Sequence, residues 1–138
     1  MSLSNDKPLV FVVHDEPIIA STIAMILSHY GLSAQSFTRP LLALQAARSM
    51  APNLLVSDVV MPQLSGVELA IQVTEHCPDC KVLLLSGQVY SAEYELALAR
   101  GFALLTKPVH PTDLLKQIQT MIEVTPAIVP GGGVRVAA

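Results

Sequence analysis

Two acids, a hydroxyl and an ammonium each stand at the end of an apolar run in this chain. Asp58 closes Asn53-Leu-Leu-Val-Ser57, Asp15 follows Leu9-Val-Phe-Val-Val13, Ser86 follows Lys81-Val-Leu-Leu-Leu85, and Lys107 follows Phe102-Ala-Leu-Leu-Thr106. A carboxylate at the end of a buried strand, with turn residues directly after it, sits at the rim of a sheet where a ligand can reach it. Burying that charge without a partner is strongly unfavourable, so Asp58 implies a cation, a reactive role or both. If the four runs are parallel neighbours, the four side chains converge on one edge, and together they make a phosphoryl site.

The elements that must position them alternate along the chain. Pro17 suits an opening helical turn, and Ile18, Ile19, Thr22, Ile23, Ile26, Leu27 and Tyr30 share one stripe that stops at Gly31. Ser33 to Phe37 reads as a second strand. Thr38 is placed to cap the next helix, with Pro40 near its first turn, a Leu/Ala-rich body to Met50, and Pro52 blocking continuation. Ser65 or Gly66 begins a third helix carrying Val67, Leu69, Ala70, Ile71 and Val73, which fades by His76-Cys77-Pro78. Ser91 to Arg100 makes a fourth, closed by Gly101, and Pro111 to Glu123 a fifth with Leu114, Leu115, Ile118, Met121 and Ile122 inward. Five strands and five helices joined by short connections predict right-handed parallel crossovers. The expected fold is α/β, a doubly wound five-stranded parallel sheet of flavodoxin-like type, with its crevice beyond the carboxyl ends of the strands.

With these motifs in this order, the chain resembles the receiver domains of two-component response regulators. The resemblance is carried by His14-Asp15-Glu16-Pro17, by Asp58, Met61, Pro62 and Gly66 in a D-x-x-M-P-x-x-x-G stretch, by Ser86-Gly87 and by Lys107-Pro108, and it covers roughly residues 7 to 123. It implies the (βα)5 receiver fold and a phosphoacceptor signalling domain, not an enzyme, that assists its own phosphorylation and dephosphorylation. Asp58 is then the nucleophile that forms an aspartyl phosphate. The donor is a sensor histidine kinase, a histidine phosphotransfer protein or a small phosphodonor. Mg²⁺ is expected on Asp15, Asp58 and the backbone carbonyl of Val60. Lys107 pairs with one phosphoryl oxygen, the Ser86 hydroxyl donates to the phosphoryl group once formed, and Lys107-Pro108 is a candidate cis peptide. The face built from the fourth helix, fifth strand and fifth helix, with Tyr90, Glu93, Tyr94 and Glu95 around it, is the expected surface for a downstream effector, an output domain or a second copy of the chain.

Two residues depart from the family pattern. His14 stands where the first of two acids is usual, and an imidazole cannot supply that carboxylate, so Mg²⁺ is expected to bind more weakly, with more tolerance for Mn²⁺ or another ion that accepts nitrogen. Leu104 stands where many receivers carry a switching Tyr or Phe, which implies a smaller rearrangement of the fourth helix and fifth strand, or a different route. Glu16 completes the acidic cluster. Val60 and Gln88, two residues beyond Asp58 and Ser86, flank the phosphoryl position; Val60 cannot orient a hydrolytic water, whereas Gln88 can.

Composition is consistent with one domain. The 138 residues are 51% apolar, enough for one good core. A net charge of −3 with eight Lys and Arg argues against nucleic-acid binding through the chain's own field. No apolar run is long enough to span a bilayer, and Met1 to Asp6 lacks the regions of a signal peptide, so a cytoplasmic location is expected. Residues 1–6 read as a disordered N-terminus or cloning remnant, 7–123 as the receiver, and 124–138, with two prolines and three consecutive glycines, as a flexible tail or linker. Either the chain is a stand-alone receiver or an output domain follows.

Cys77-Pro-Asp-Cys80 is a C-x-x-C, but it lies where a helix ends, not at the helix N-terminus that lowers a thiol pKa, and it reads as structural. His29, His76 and His110 read as surface residues near helix ends. The alternative function is a degenerate receiver, altered by His14 and Leu104, that serves as a phosphorylation-independent interaction module. A flavodoxin-like cofactor protein fits poorly, because the first strand-to-helix turn lacks a phosphate-binding loop.

Overall fold

The apolar runs become strands because layers of helix cover both of their faces. The computed structural model describes residues 7–89 and 91–122; the expectations for 1–6, Tyr90, Glu123 and the tail lie outside the described residues. Strands β1 (Leu9–Val13), β2 (Ser33–Phe37), β3 (Leu54–Asp58), β4 (Lys81–Ser86) and β5 (Ala103–Thr106) alternate with helices α1 (Pro17–His29), α2 (Pro40–Ser49), α3 (Gly66–His76), α4 (Ala92–Ala99) and α5 (Pro111–Ile122). All strand pairs are parallel and the order is β2-β1-β3-β4-β5. This is the expected doubly wound sheet, and its order reverses between β1 and β3, the crevice position for a fold of this type.

The two-residue period of the strands sorts the core into two layers. Phe11, Val13, Leu55, Val82 and Leu84 pack with Ala43 and Ala47 of α2, Val67, Ala70 and Val73 of α3, and Ala97 of α4. Val10, Val12, Leu54, Val56, Leu83 and Leu85 pack with Ala24 and Leu27 of α1 and Leu114 and Ile118 of α5. Each fully buried Leu or Val contributes about 1.5–3 kcal/mol. The central strands β1, β3 and β4 therefore form the rigid part from which the functional loops extend.

Two local expectations need correction. The apolar stripe of α1 is only partly the buried face: Leu27 is buried and Ile23 packs on the core, but Ile18 is 78% and Tyr30 56% exposed, and Ala20 and Ala24, outside the stripe, complete the contact. Alanines let the helix approach the sheet closely, and a reading weighted toward large side chains passes over them. Thr38 does not cap α2; Arg39 occupies that position in extended conformation without a side-chain cap bond, and Pro40 follows inside the helix. Proline brings no N–H to be satisfied in the first turn, so the helix starts without a hydroxyl cap. Ser65 and Ser91 do cap α3 and α4, accepting the N–H groups of Glu68 and Tyr94. Gly31 and Gly101 take positive φ after α1 and α4, as their positions predict.

Candidate functional site

Interstrand hydrogen bonding runs past the strand ends and pins the loops that carry the polar residues. His14 N–H donates to Phe37 O at 3.0 Å, Val59 N–H to Leu85 O at 3.0 Å, and Lys107 N–H to Ser86 O at 2.8 Å. The register sets Asp58 beside Leu85 and Ser86 beside Thr106. Residues far apart in sequence thus meet at one end of the sheet without help from mobile loops.

Asp58 is buried at the end of β3, and Lys107 Nζ lies 2.6 Å from its Oδ1. The ammonium answers the buried charge, and it reaches the carboxylate from a side chain that is itself partly in water. The other oxygen, Oδ2, faces His14 Nε2 at 3.8 Å, and among the described residues no hydrogen bond reaches it. His14 is buried, and its Nδ1 accepts the Glu16 N–H at 3.2 Å and lies 3.5 Å from Asp15 Oδ1. Ligand atoms of His14, Asp15 and Asp58 all lie within 4.8 Å of one another, a spacing suited to one cation.

Gly66 holds the Asp58 loop from below. Its N–H donates to Val59 O at 2.8 Å, and a Cβ at this position would collide with the Asp58 carbonyl oxygen and approach Ser57 Oγ to 3.0 Å. The glycine is needed because α3 starts against the backbone of the candidate nucleophile. Ser57 Oγ donates to the Asp58 carbonyl at 2.9 Å, and buried Met61 fills the space beneath the loop. Gln63 takes a positive φ of 74°, uncommon for a residue with a side chain, where the chain turns toward α3. The sequence motif contains Gly66, but neither the collision nor the turn at Gln63 has a sequence signal of its own.

The remaining candidates surround this centre. Ser86 is buried beside it but occupied locally: its Oγ donates to Gln88 O at 3.0 Å and accepts Gln88 N–H at 3.2 Å. Val60 is 67% exposed and Glu16 exposed at the start of α1. Leu104 is half-buried and packs on the α2–α3 side of the core, which makes it a core residue at this position. Lys107-Pro108 is cis. A groove of about 590 Å³ opens beside Lys107 between α1 and α5, with Ile19, Thr22, Ile23, Pro108 and Val109 in its lining. Ile19 and Ile23 belong to the apolar stripe of α1, but helical spacing alone does not show that a groove opens against α5 beside Lys107.

The cysteines lie elsewhere, at the amino-terminal end of β4. Both are buried and unpaired, and burial, followed by the neighbouring Cys77, pushes the Cys80 thiol up to about 12. Such a thiol is a poor nucleophile near neutral pH, which supports the structural reading. His29, His76 and His110 are exposed, as expected. Among the described residues no helix is long and apolar enough to cross a membrane.

Comparison with known proteins adds an independent observation. Residues 10–119 match the family model of the response regulator receiver domain. The chain is 31% identical over 117 residues to the transcriptional regulatory protein CreB of Escherichia coli, covering 84% of this chain and 51% of that one. It is 31% identical over 113 residues to the putative two-component response regulator ARR21 of Arabidopsis thaliana, covering 80% of this chain but 18% of the relative. The chain thus spans about half or less of these two relatives. Among solved structures, a CheY-like receiver domain protein from Methanospirillum hungatei superposes with a TM-score of 0.81 at 24% identity, over 86% of this chain and 95% of that one, a likeness of fold.

Proposed function

Because the chain belongs to the response regulator receiver family and is homologous to two-component response regulators, we propose that Asp58 accepts a phosphoryl group from a histidine kinase or histidine phosphotransfer protein. The observation that carries this reading is the buried Asp58 with Lys107 Nζ at 2.6 Å on one oxygen and the other oxygen without a hydrogen-bond donor among the described residues.

In the transfer, an Asp58 carboxylate oxygen attacks phosphorus in line, the O–P bond forms, and the bond from phosphorus to the donor nitrogen breaks with its electron pair leaving on the donor imidazole. Lys107 stays beside the carboxylate and balances charge gathering on the phosphoryl oxygens. Ser86 exchanges its bonds to Gln88 for one to a phosphoryl oxygen. The family's cation is Mg²⁺, with Mn²⁺ as a further fit, and Asp15, Asp58 and the Val60 backbone carbonyl are the groups that would hold it. The open side of Asp58 and the partly exposed Asp15 fit a divalent ion; when bound, such an ion neutralises charge on the transferring oxygens.

Exposed Ile18 and Met25 on α1, with the neighbouring groove, give a donor protein an apolar approach to Asp58. The signal leaves through α4, β5 and α5 to an effector, an output domain or a second copy of the chain. A second reading, a phosphorylation-independent interaction module, draws on buried His14 in place of an acid and on Leu104 in place of a switching ring.

Incubation with acetyl phosphate and Mg²⁺, followed by intact-mass measurement, separates the two. The wild-type chain should gain one phosphoryl group and Asp58→Asn none. No gain by a folded wild-type chain would favour the interaction module.

A further inference from the structure

His14 brings a nitrogen donor to a group whose other members, Asp15 and Asp58, offer the oxygen ligands of a hard-cation site, and its placement is specific. It is 5% exposed, its backbone is tied to Phe37, and its Nε2 faces the Asp58 oxygen that takes no hydrogen bond among the described residues. Bonds of about 2.1 Å from imidazole nitrogen and carboxylate oxygen to one tetrahedral ion put the two ligand atoms roughly 3.4 Å apart. The observed separation is 3.8 Å. A side-chain adjustment of a few tenths of an ångström closes that gap, and Asp15 stands on the same ring's other side at 3.5 Å.

We propose that this pocket is a mixed nitrogen–oxygen centre in which His14 Nε2 and Asp58 Oδ2 together ligate a divalent transition ion of the Co²⁺, Ni²⁺ or Zn²⁺ class, with His14 setting a preference for such ions over Mg²⁺. The proposal rests on the phosphoacceptor reading only in using the same pocket.

Two physical arguments set the direction. The first is charge: Asp15 and Asp58 contribute −2 and Lys107 +1, so the pocket offers a net −1, and a carboxylate in place of His14 would make it −2. Mg²⁺ is held largely by such charge and by oxygen ligands, so it gains least from an imidazole. The second is ligand type: a borderline ion gains from a nitrogen donor what the site lacks in charge. The ring also has an outer partner. Nδ1 now accepts the Glu16 N–H, whereas a ring bound to an ion through Nε2 carries its proton on Nδ1 and donates it to Asp15 Oδ1. A carboxylate behind a ligating histidine is the usual means of orienting such a ring.

The test is metal binding without any phosphodonor. Co²⁺ is titrated by visible absorption and Mg²⁺ by calorimetry, for the wild-type chain, His14→Asp and His14→Ala, each checked for folding by circular dichroism. Most sites bind Co²⁺ more tightly than Mg²⁺, so the deciding quantity is the ratio of the two affinities in each variant. His14→Asp should lower that ratio by about a hundredfold, weakening Co²⁺ and tightening Mg²⁺, and His14→Ala should weaken Co²⁺ about tenfold or more without improving Mg²⁺. An unchanged ratio in His14→Asp overturns the proposal, as does a cobalt–thiolate band that places the ion on Cys77 and Cys80. Phosphoryl uptake by mass, scored separately, tells the two ideas apart: uptake without His14-dependent Co²⁺ binding removes this inference alone, and His14-dependent Co²⁺ binding without uptake removes the phosphoacceptor reading alone.

Discussion

The two ends of the sheet bury titratable groups to similar depth and treat them in opposite ways. At the carboxyl end, Asp58 is 6% exposed and meets an ammonium at 2.6 Å. At the amino end, Cys80 is 7% exposed and its titratable neighbour is Cys77, another acid, so burial and proximity both favour the protonated thiol. Exclusion of water alone therefore does not make a site. A cation beside a buried acid gives it an ion-pair partner, whereas a like group beside it adds to burial in suppressing charge and reactivity. The contrast follows from chain direction, since in a parallel sheet all the loops that collect at the carboxyl ends come from different crossovers and can bring acids and a lysine together.

The contrast can be broken most forcefully through the backbone beneath Asp58. Gly66→Ala places a methyl group against the Asp58 carbonyl, a backbone atom that cannot rotate away. Urea denaturation should show a loss of about 3 kcal/mol, the upper part of the range for overpacking. A loss under about 1 kcal/mol would mean that the carboxyl end is loose enough to yield, and the account of a pinned site would fail.

Removing the cation comes next in size. Lys107→Met keeps most of the stem but leaves Asp58 without its partner. Because the lysine side chain is 36% exposed, the stability cost is expected at about 1–2 kcal/mol, below that of a fully buried pair. Phosphoryl uptake from acetyl phosphate should slow about a hundredfold, as when one positioned charge is lost from a transition-state cradle. Uptake at the wild-type rate would show that pairing is not what separates this end of the sheet from the other.

How much of this was legible in the sequence follows from the range of each interaction. The five-stranded parallel sheet and the meeting of Asp58 with Lys107 were readable because apolar runs, short crossovers and strand ends obey rules that need no side-chain detail. The buried face of α1 was not, since Ala20 and Ala24 contribute by being small, and a hydrophobic pattern gives most weight to Ile18 and Ile19, which stay exposed. Gly66 was visible as a motif position, but its reason lies across space in the Asp58 carbonyl. The orientation of His14 depends on the Glu16 N–H and the Asp58 oxygen together, and the engagement of Ser86 with Gln88 depends on loop geometry. Such details are set by packing, which sequence spacing does not encode.

The smallest effect tests the other half of the contrast, the unanswered thiol. The folded pKa of Cys80, about 12, lies above the ordinary value of 9.0, so the folded chain holds this proton over a pH range in which the unfolded chain has released it. Stability from this group is therefore intact below about pH 9 and is lost as pH climbs toward about 12. Across that interval one such group can lower stability by about 1 kcal/mol for each pH unit. Other groups titrate there too, so the measurement is a difference: denaturation of the wild-type chain and Cys80→Ala at pH 8, 9 and 10 should show a shallower decline in the variant, whatever its stability at pH 8. In the native wild-type chain, alkylation of Cys80 should be slow and should accelerate with added urea, because the thiolate forms mainly when the amino end opens. Rapid alkylation of the native protein, or parallel pH profiles for the two chains, would mean that Cys80 is not held in its protonated form and that the two ends of the sheet do not differ in the way their geometry implies.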